Sequence, residues 1–153
     1  MPRVVSSAYH HTYVCESVTR EYRSNAPQVS SPEAAAKLLR PVLEQQPQET
    51  LYALLLNAKN RVLQSCIIGI GTVNASLVHP RDIFRRALAA NATAVIVAHN
   101  HPSGDPTPSR EDVELTKRLA EAGRIIGIEV LDHVIIGAGG YYKSLHADGV
   151  IGG

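Results

Sequence analysis

The stretch Thr93-Ala94-Val95-Ile96-Val97-Ala98-His99-Asn100-His101-Pro102-Ser103-Gly104-Asp105-Pro106-Thr107-Pro108-Ser109-Arg110-Glu111-Asp112 decides both the fold and the place of the chemistry. Thr93 to Ala98 is a short aliphatic run, which reads as a strand buried on both faces. A polar, proline-rich loop follows over Asn100 to Pro108. Ser109 then opens a long helix, on which Val113, Leu115, Leu119, Ala120 and Ala122 roughly follow the helical period. A buried strand that runs out into a loop and a new helix is where open α/β sheets place their ligand sites.

The rest of the chain supplies the neighbours of this unit. Ser31 suits an N-cap, Pro32 the first helical position and Glu33 the positive end of the helix dipole, so a helix is expected from there to about Glu44. Pro41 should kink or interrupt it. Glu49 to Asn57 is a near-continuous apolar run of strand length, Ala58-Lys59-Asn60 a hairpin turn, and Val62 to Ile70 a second strand ending at Gly71. His79-Pro80 sets a helix entry. The helix from Arg81 to Ala90 places Ile83, Phe84, Ala87 and Leu88 on one face, with Asn91 as its stop. The long helix ends near Gly123 to Gly127, and Glu129 to Ile136 is a strand closed by Gly137-Ala138-Gly139-Gly140. Tyr141 to Gly153 adds a short final element. The order β-β-α-β-α-β predicts an α/β domain, a mixed sheet flanked by helices, over residues 31–153. Residues 1–30 show no clear period and read as an irregular arm, with one short strand around Tyr13 to Val18.

Composition narrows the function classes. The 153 residues are 44% hydrophobic, enough for one compact domain with a real core. Fifteen Lys and Arg against 14 Asp and Glu give a net charge of +1, which excludes a nucleic-acid binder that works by bulk charge and a polybasic membrane anchor. Two cysteines, Cys15 and Cys66, cannot build a disulfide scaffold, so a reducing cytoplasm is expected. The opening residues lack the apolar core of a secretory signal, and no apolar run approaches a membrane span.

His99 and His101 stand two apart, so strand geometry carried one residue past Ala98 turns both imidazoles to one side. Asp112 lies in the first turn of the next helix and can swing back over the loop. Two nitrogens and one carboxylate, with a fourth position left to water, form the pattern of a catalytic zinc site. Two other readings use the same residues. Ser109 with Asp112 also makes a plain helix capping box, and an iron(II) facial triad also takes two His and a carboxylate. Zinc-assisted hydrolysis needs a carboxylate to move the proton, for which Glu49, Glu129 and Asp132 are the candidates. Asp132 could instead orient a ligand imidazole from behind or be a strand-end charge, and His133 reads as a packed histidine or a support to the ligands. His10 and His11 read as solvent-exposed, Cys66 as a small buried apolar residue, and Arg81, Arg85 and Arg86 as a solvated face that could touch phosphate.

His99-x-His101, seven residues, Ser109, two more and Asp112 resembles the JAMM (MPN+) metalloprotease signature. The wording His99-Asn100-His101-Pro102-Ser103-Gly104-Asp105-Pro106-Thr107-Pro108-Ser109 is similar to the RadC branch in particular, as are Gly71-Thr72 with Val78-His79-Pro80-Arg81, and Leu131-Asp132-His133-Val134-Ile135-Ile136-Gly137. The resemblance covers roughly Gln48 to Gly149. It implies a JAB/MPN fold of cytidine-deaminase-like architecture, with one zinc per chain held by His99, His101 and Asp112. It implies that Ser109 hydrogen-bonds the developing oxyanion or orients the bound water, and that Glu49 is the general acid/base. It also implies a JAMM-type peptidase or isopeptidase acting on a peptide or protein conjugate. RadC proteins usually carry an N-terminal helix-hairpin-helix that binds DNA. The region before Glu49 is too short for that arrangement, so a short stand-alone form is expected. The alternative is a DNA-repair accessory protein that binds or processes DNA, with a structural metal.

Overall fold

A computed structural model describes residues 26–71 and 78–152. The predicted strand around Tyr13 to Val18, Cys15, His10, His11 and the Thr72 part of the RadC-like wording lie outside these residues. Helix α1 spans Pro32–Leu43, strand β1 Thr50–Leu56, β2 Val62–Ile70, helix α2 Pro80–Ala89, β3 Ala94–Asn100, α3 Arg110–Ile126, β4 Glu129–Ile136 and β5 Tyr142–Ser144. The sheet order is β2-β1-β3-β4-β5. Among the described residues only the β3–β4 pair is parallel. It is joined through α3, as a parallel pair requires a crossover. The expected α/β mixed sheet flanked by helices is therefore what forms.

The period-two alternation of the central strands splits the core into two layers. Leu51, Ala53 and Leu55 of β1 and Val95 and Val97 of β3 pack with Ile83, Phe84 and Ala87 of α2 and Leu115 and Leu119 of α3. Leu54, Leu56, Ala94, Ile96 and Ala98 face the other way, onto Ala35, Ala36, Leu39 and Leu43 of α1. Central strands clad on both faces must be apolar at every position, which explains the continuous runs in the sequence. The same alternation carries His99 towards the α3 layer and Asn100 towards the opposite one.

The ends of the elements follow local chemistry. Ser31 caps α1 by accepting from the Ala34 N–H at 3.1 Å, with Pro32 first in the helix. Asn57 shapes the β1–β2 turn, its side-chain oxygen accepting from the N–H of Lys59 and Arg61. Gly127 ends α3 with φ +84°, a left-handed conformation that costs glycine nothing.

Two boundaries differ from the sequence reading, and the interruption expected at Pro41 is absent. Helix α1 continues through Pro41 to Leu43. The proline falls in the last turn, where only one backbone bond is forfeited, and Arg40 anchors that turn by donating to the carbonyls of Gly137 and Tyr141 at 3.0 and 3.1 Å. Strand β3 runs on to Asn100, so His99 lies inside the sheet rather than at its exit. Residues 26–29, read as part of the arm, are fastened to the hairpin: Val29 N–H donates to Asn60 O at 2.8 Å, Val62 N–H donates to Pro27 O at 3.0 Å, and Ala26 and Val29 are buried. Among the described residues no helix is long and apolar enough to cross a membrane.

Candidate metal centre

Two elements aim three side chains at one point. Parallel pairing with β4 holds β3 extended to its end, with His99 opposite Ile135, and the His101 N–H donates to Ile136 O at 3.0 Å just beyond it. His101 thereby keeps the strand's alternation and shares a side with His99. Asp112 comes from the first turn of α3. Ser109 accepts from the Asp112 N–H at 3.0 Å, and Asp112 Oδ2 accepts from the Ser109 N–H at 2.9 Å. The capping box and the convergence on the histidines coexist, because the carboxylate serves both. One oxygen faces each imidazole: His99 Nε2 to Asp112 Oδ1 is 3.1 Å and His101 Nε2 to Oδ2 is 3.1 Å.

This donor set fits a small divalent cation. His99 Nε2 and His101 Nε2 stand 3.0 Å apart. His101 Nδ1 lies 2.8 Å from the backbone oxygen of Asp105, which can only accept, so the proton of a neutral His101 sits on Nδ1 and Nε2 presents a lone pair. Lone pairs and a carboxylate packed this closely, with His99 and Asp112 buried, repel one another unless a cation or proton lies among them. Two ligands bound to one tetrahedral zinc at about 2.0–2.1 Å stand about 3.3 Å from each other, close to the spacing seen.

The electrostatics agree. Burial alone would raise the Asp112 carboxyl, but the His101 and His99 imidazoles beside it and the Ser109 amide hold it well below the usual carboxylate range. The same carboxylate lifts the His101 imidazole above its ordinary 6.5 against the opposing effect of burial. A raised imidazole stabilises the metal-free fold fully below 6.5, and that contribution is lost as pH rises through the folded value. A zinc ion held by these residues would have to displace this proton, so its effect would have the opposite slope. The zinc-induced rise in Tm should therefore be full in alkaline buffer and collapse as pH falls towards 6 and below. Paired thermal scans with zinc and with chelator across pH measure this, and an increment independent of pH would contradict it.

Of the three candidate bases, only Glu49 is near. It is half-buried immediately before β1, and its charge favours the protonated form of His101. Its backbone is fixed by Gly71, whose N–H donates to Glu49 O at 2.8 Å. Asn100, buried between the two histidines on the other face, brackets it: the side chain accepts from Thr50 N–H at 2.8 Å and donates to Gln48 O at 3.1 Å and Gln46 O at 3.2 Å. Glu129 is exposed at the far end of the β3–β4 pair, opposite Ala94. Asp132 neither orients a ligand nor faces water. It is buried and accepts from His133 N–H, Ser144 Oγ and His146 N–H at 2.7, 2.7 and 3.1 Å, tying β4 to the turn after β5.

His133 is fully buried behind His99, its Nε2 2.7 Å from His99 Nδ1. Burial pushes its imidazole well below the usual value. Thr116 and Asn100 have no role in the sequence reading. The one available signal is position: Asn100 alternates with the histidines, and Thr116 lies one helical turn after Asp112. Arg86, one of the three α2 arginines, donates to Ile67 O at 2.8 Å.

The loop that carries His101 is seated on the turn after β4. Ala138 N–H donates to Gly104 O at 2.9 Å, and a Cβ on Gly137 would stand 2.5 Å from Gly104 O and 2.8 Å from Pro106 Cδ. Gly137→Ala must push the loop away, so we expect a loss of about 1–3 kcal/mol, or about 3–10 °C in Tm, together with weaker zinc binding. Thermal melts and a chelator competition check both, and an unchanged Tm would show that the loop yields freely.

The RadC-like JAB domain family model matches residues 29–150. A UPF0758 protein of Symbiobacterium thermophilum is 55% identical over 111 residues, covering 72% of this chain and 47% of that protein. One of Shouchella clausii is 50% identical over 122 residues, covering 80% and 53%. One of Methanosarcina mazei is 46% identical over 123 residues, covering 80% and 53%. The chain thus spans about half the length of the curated relatives it matches. A matched region that begins just before α1 and ends after β5 takes in the whole sheet and all three converging side chains, and on that ground the chain belongs to the RadC-like JAB domain family.

Proposed function

We propose that this domain is a zinc-dependent hydrolase of amide bonds, taking a peptide or a side-chain amide of a protein conjugate as substrate. The observation that carries the reading is the convergence of His99, His101 and Asp112, whose ligand atoms lie within 4.8 Å of one another beside a carboxylate with no place in the ligand set. Three protein ligands leave a coordination position open, as catalytic rather than structural zinc sites do. A zinc ion in this site supplies Lewis acidity, polarising the amide carbonyl and lowering the pKa of a coordinated water to about 7.

The chain's own residues do the rest. Glu49 takes the proton of the attacking water as its oxygen bonds to the amide carbon, and passes that proton to the leaving nitrogen as the C–N bond breaks. Ser109 Oγ accepts from the Asp112 N–H, which leaves its own hydrogen free to donate to the developing oxyanion. Asn100 holds the backbone on both sides of Glu49, so the base and the ligand strand keep one relative position.

The test is elemental analysis of protein purified without a metal-affinity tag, followed by a screen of peptide and isopeptide amides. About one zinc per chain and chelator-sensitive release of an amine are expected. Failure to take up zinc when it is offered would remove the reading.

A further inference from the structure

We propose that His133 and Thr116 are positioning residues that hold His99 in its Nδ1–H tautomer and so aim its Nε2 lone pair into the metal site. The inference rests on the metal-site reading above.

The direction of each hydrogen bond follows from what its partner can accept. The Thr116 hydroxyl lies 2.6 Å from the backbone oxygen of Asp112, which has no hydrogen to give, so the hydroxyl donates there. Its single hydrogen is then committed. The second contact of Thr116 Oγ1, with His133 Nδ1, must be accepted from an Nδ1–H. A neutral His133 with hydrogen on Nδ1 has a bare Nε2, and that atom sits 2.7 Å from His99 Nδ1. His99 therefore donates from Nδ1, and its Nε2 is left bare towards His101 and Asp112. The circuit closes on one residue: Asp112 offers its carboxylate to the site, and its backbone oxygen anchors the far end of the relay.

Burial makes the order strict. His99, His133 and Thr116 are each 0% exposed, so no bulk water substitutes for a missing partner. Without the hydroxyl, the His133 Nδ1–H is buried beside a methyl group. The less costly arrangement moves the His133 hydrogen to Nε2, which then donates to His99 Nδ1. That places the His99 hydrogen on Nε2, where a metal must displace it. The relay thus fixes tautomer and ring orientation together, as outer partners of metal-bound histidines do.

Thr116→Val is the decisive variant, since it keeps the shape and removes only the hydroxyl, and Thr116→Ser restores it. Long-range imidazole nitrogen–proton correlation spectra of the metal-free chain read the tautomer directly. Competition with a chromophoric chelator reads the zinc affinity. Wild type and Thr116→Ser should show His99 with hydrogen on Nδ1. Thr116→Val should show the hydrogen on Nε2 and bind zinc about 10- to 100-fold more weakly. If His99 stays Nδ1–H in Thr116→Val and its zinc affinity stays within about twofold of wild type, the positioning role is wrong. Should Thr116→Val not fold, a wild-type or Thr116→Ser spectrum with hydrogen on His99 Nε2 overturns the proposal equally. A wild type that takes up no zinc sinks the metal-site reading instead, an outcome separate from the tautomer result.

Discussion

Asp112→Ala should bind zinc about a hundred- to a thousandfold more weakly than wild type. A structural zinc site in a small domain is worth about 10–16 kcal/mol shared among four ligands, so each supplies about 2.5–4 kcal/mol, and a factor of ten costs about 1.4 kcal/mol. The side chain is also half of the α3 capping box, so the variant should lose about 1 kcal/mol of stability besides, seen as a Tm lower by about 2–4 °C in chelator. The two losses separate in Asp112→Asn. An amide oxygen still accepts from the Ser109 N–H, while the negative charge between His99 and His101 is gone. Asp112→Asn should therefore melt near wild type without metal and still bind zinc poorly. Chelator competition and melts on the three proteins decide the matter. If Asp112→Ala retains one tightly held zinc per chain, Asp112 is a helix cap and nothing more.

The convergence of His99, His101 and Asp112 was legible because each side chain's orientation is a local property. Period-two alternation sends His99 and His101 to one side, and a helix start after Ser109 turns Asp112 back over the loop, whatever the rest of the chain does. Legibility stops where long-range register takes over. His133 reaches His99 because β4 pairs in parallel with β3 so that His133 stands beside Val97, with an irregularity between Val95 and Ile96 setting that offset. A slip of one residue would turn His133 to the α1 face and leave Asp132 in its place. Nothing in the spacing of the sequence chooses between those registers, so the reading left His133 between packing and support. Asn100 is a similar case. Its alternation away from the histidines is predictable, but its partners Gln46, Gln48 and Thr50 depend on how the segment after α1 returns to the sheet. The interruption expected at Pro41 fails for the opposite reason. The local rule is sound for a helix interior, but here the proline falls in a final turn that Arg40 fastens to a turn nearly a hundred residues away.

Glu49→Gln should leave zinc binding within about threefold of wild type and lower kcat for amide hydrolysis by about 10²–10⁴. Glutamine keeps the shape and the hydrogen-bonding oxygen but cannot hold the proton between the attacking water and the leaving nitrogen. The backbone that carries residue 49 is set by bonds that the substitution does not touch: Gly71 N–H to the carbonyl of residue 49, and the Asn100 side chain to Gln48 and Thr50 on either side. The variant should therefore fold, load with metal and bind substrate, and fail at the chemical step. The electrostatics add a second readout. Glu49 helps keep His101 protonated in the metal-free chain, so Glu49→Gln should lower the pH at which zinc displaces that proton. Steady-state kinetics on the amide found in the screen, with zinc content measured on the same samples, separates the possibilities. Unchanged kcat would remove Glu49 from the reaction, and lost zinc would make it part of the metal's surroundings instead. Lost turnover with zinc retained is the pattern expected of a proton carrier beside the metal.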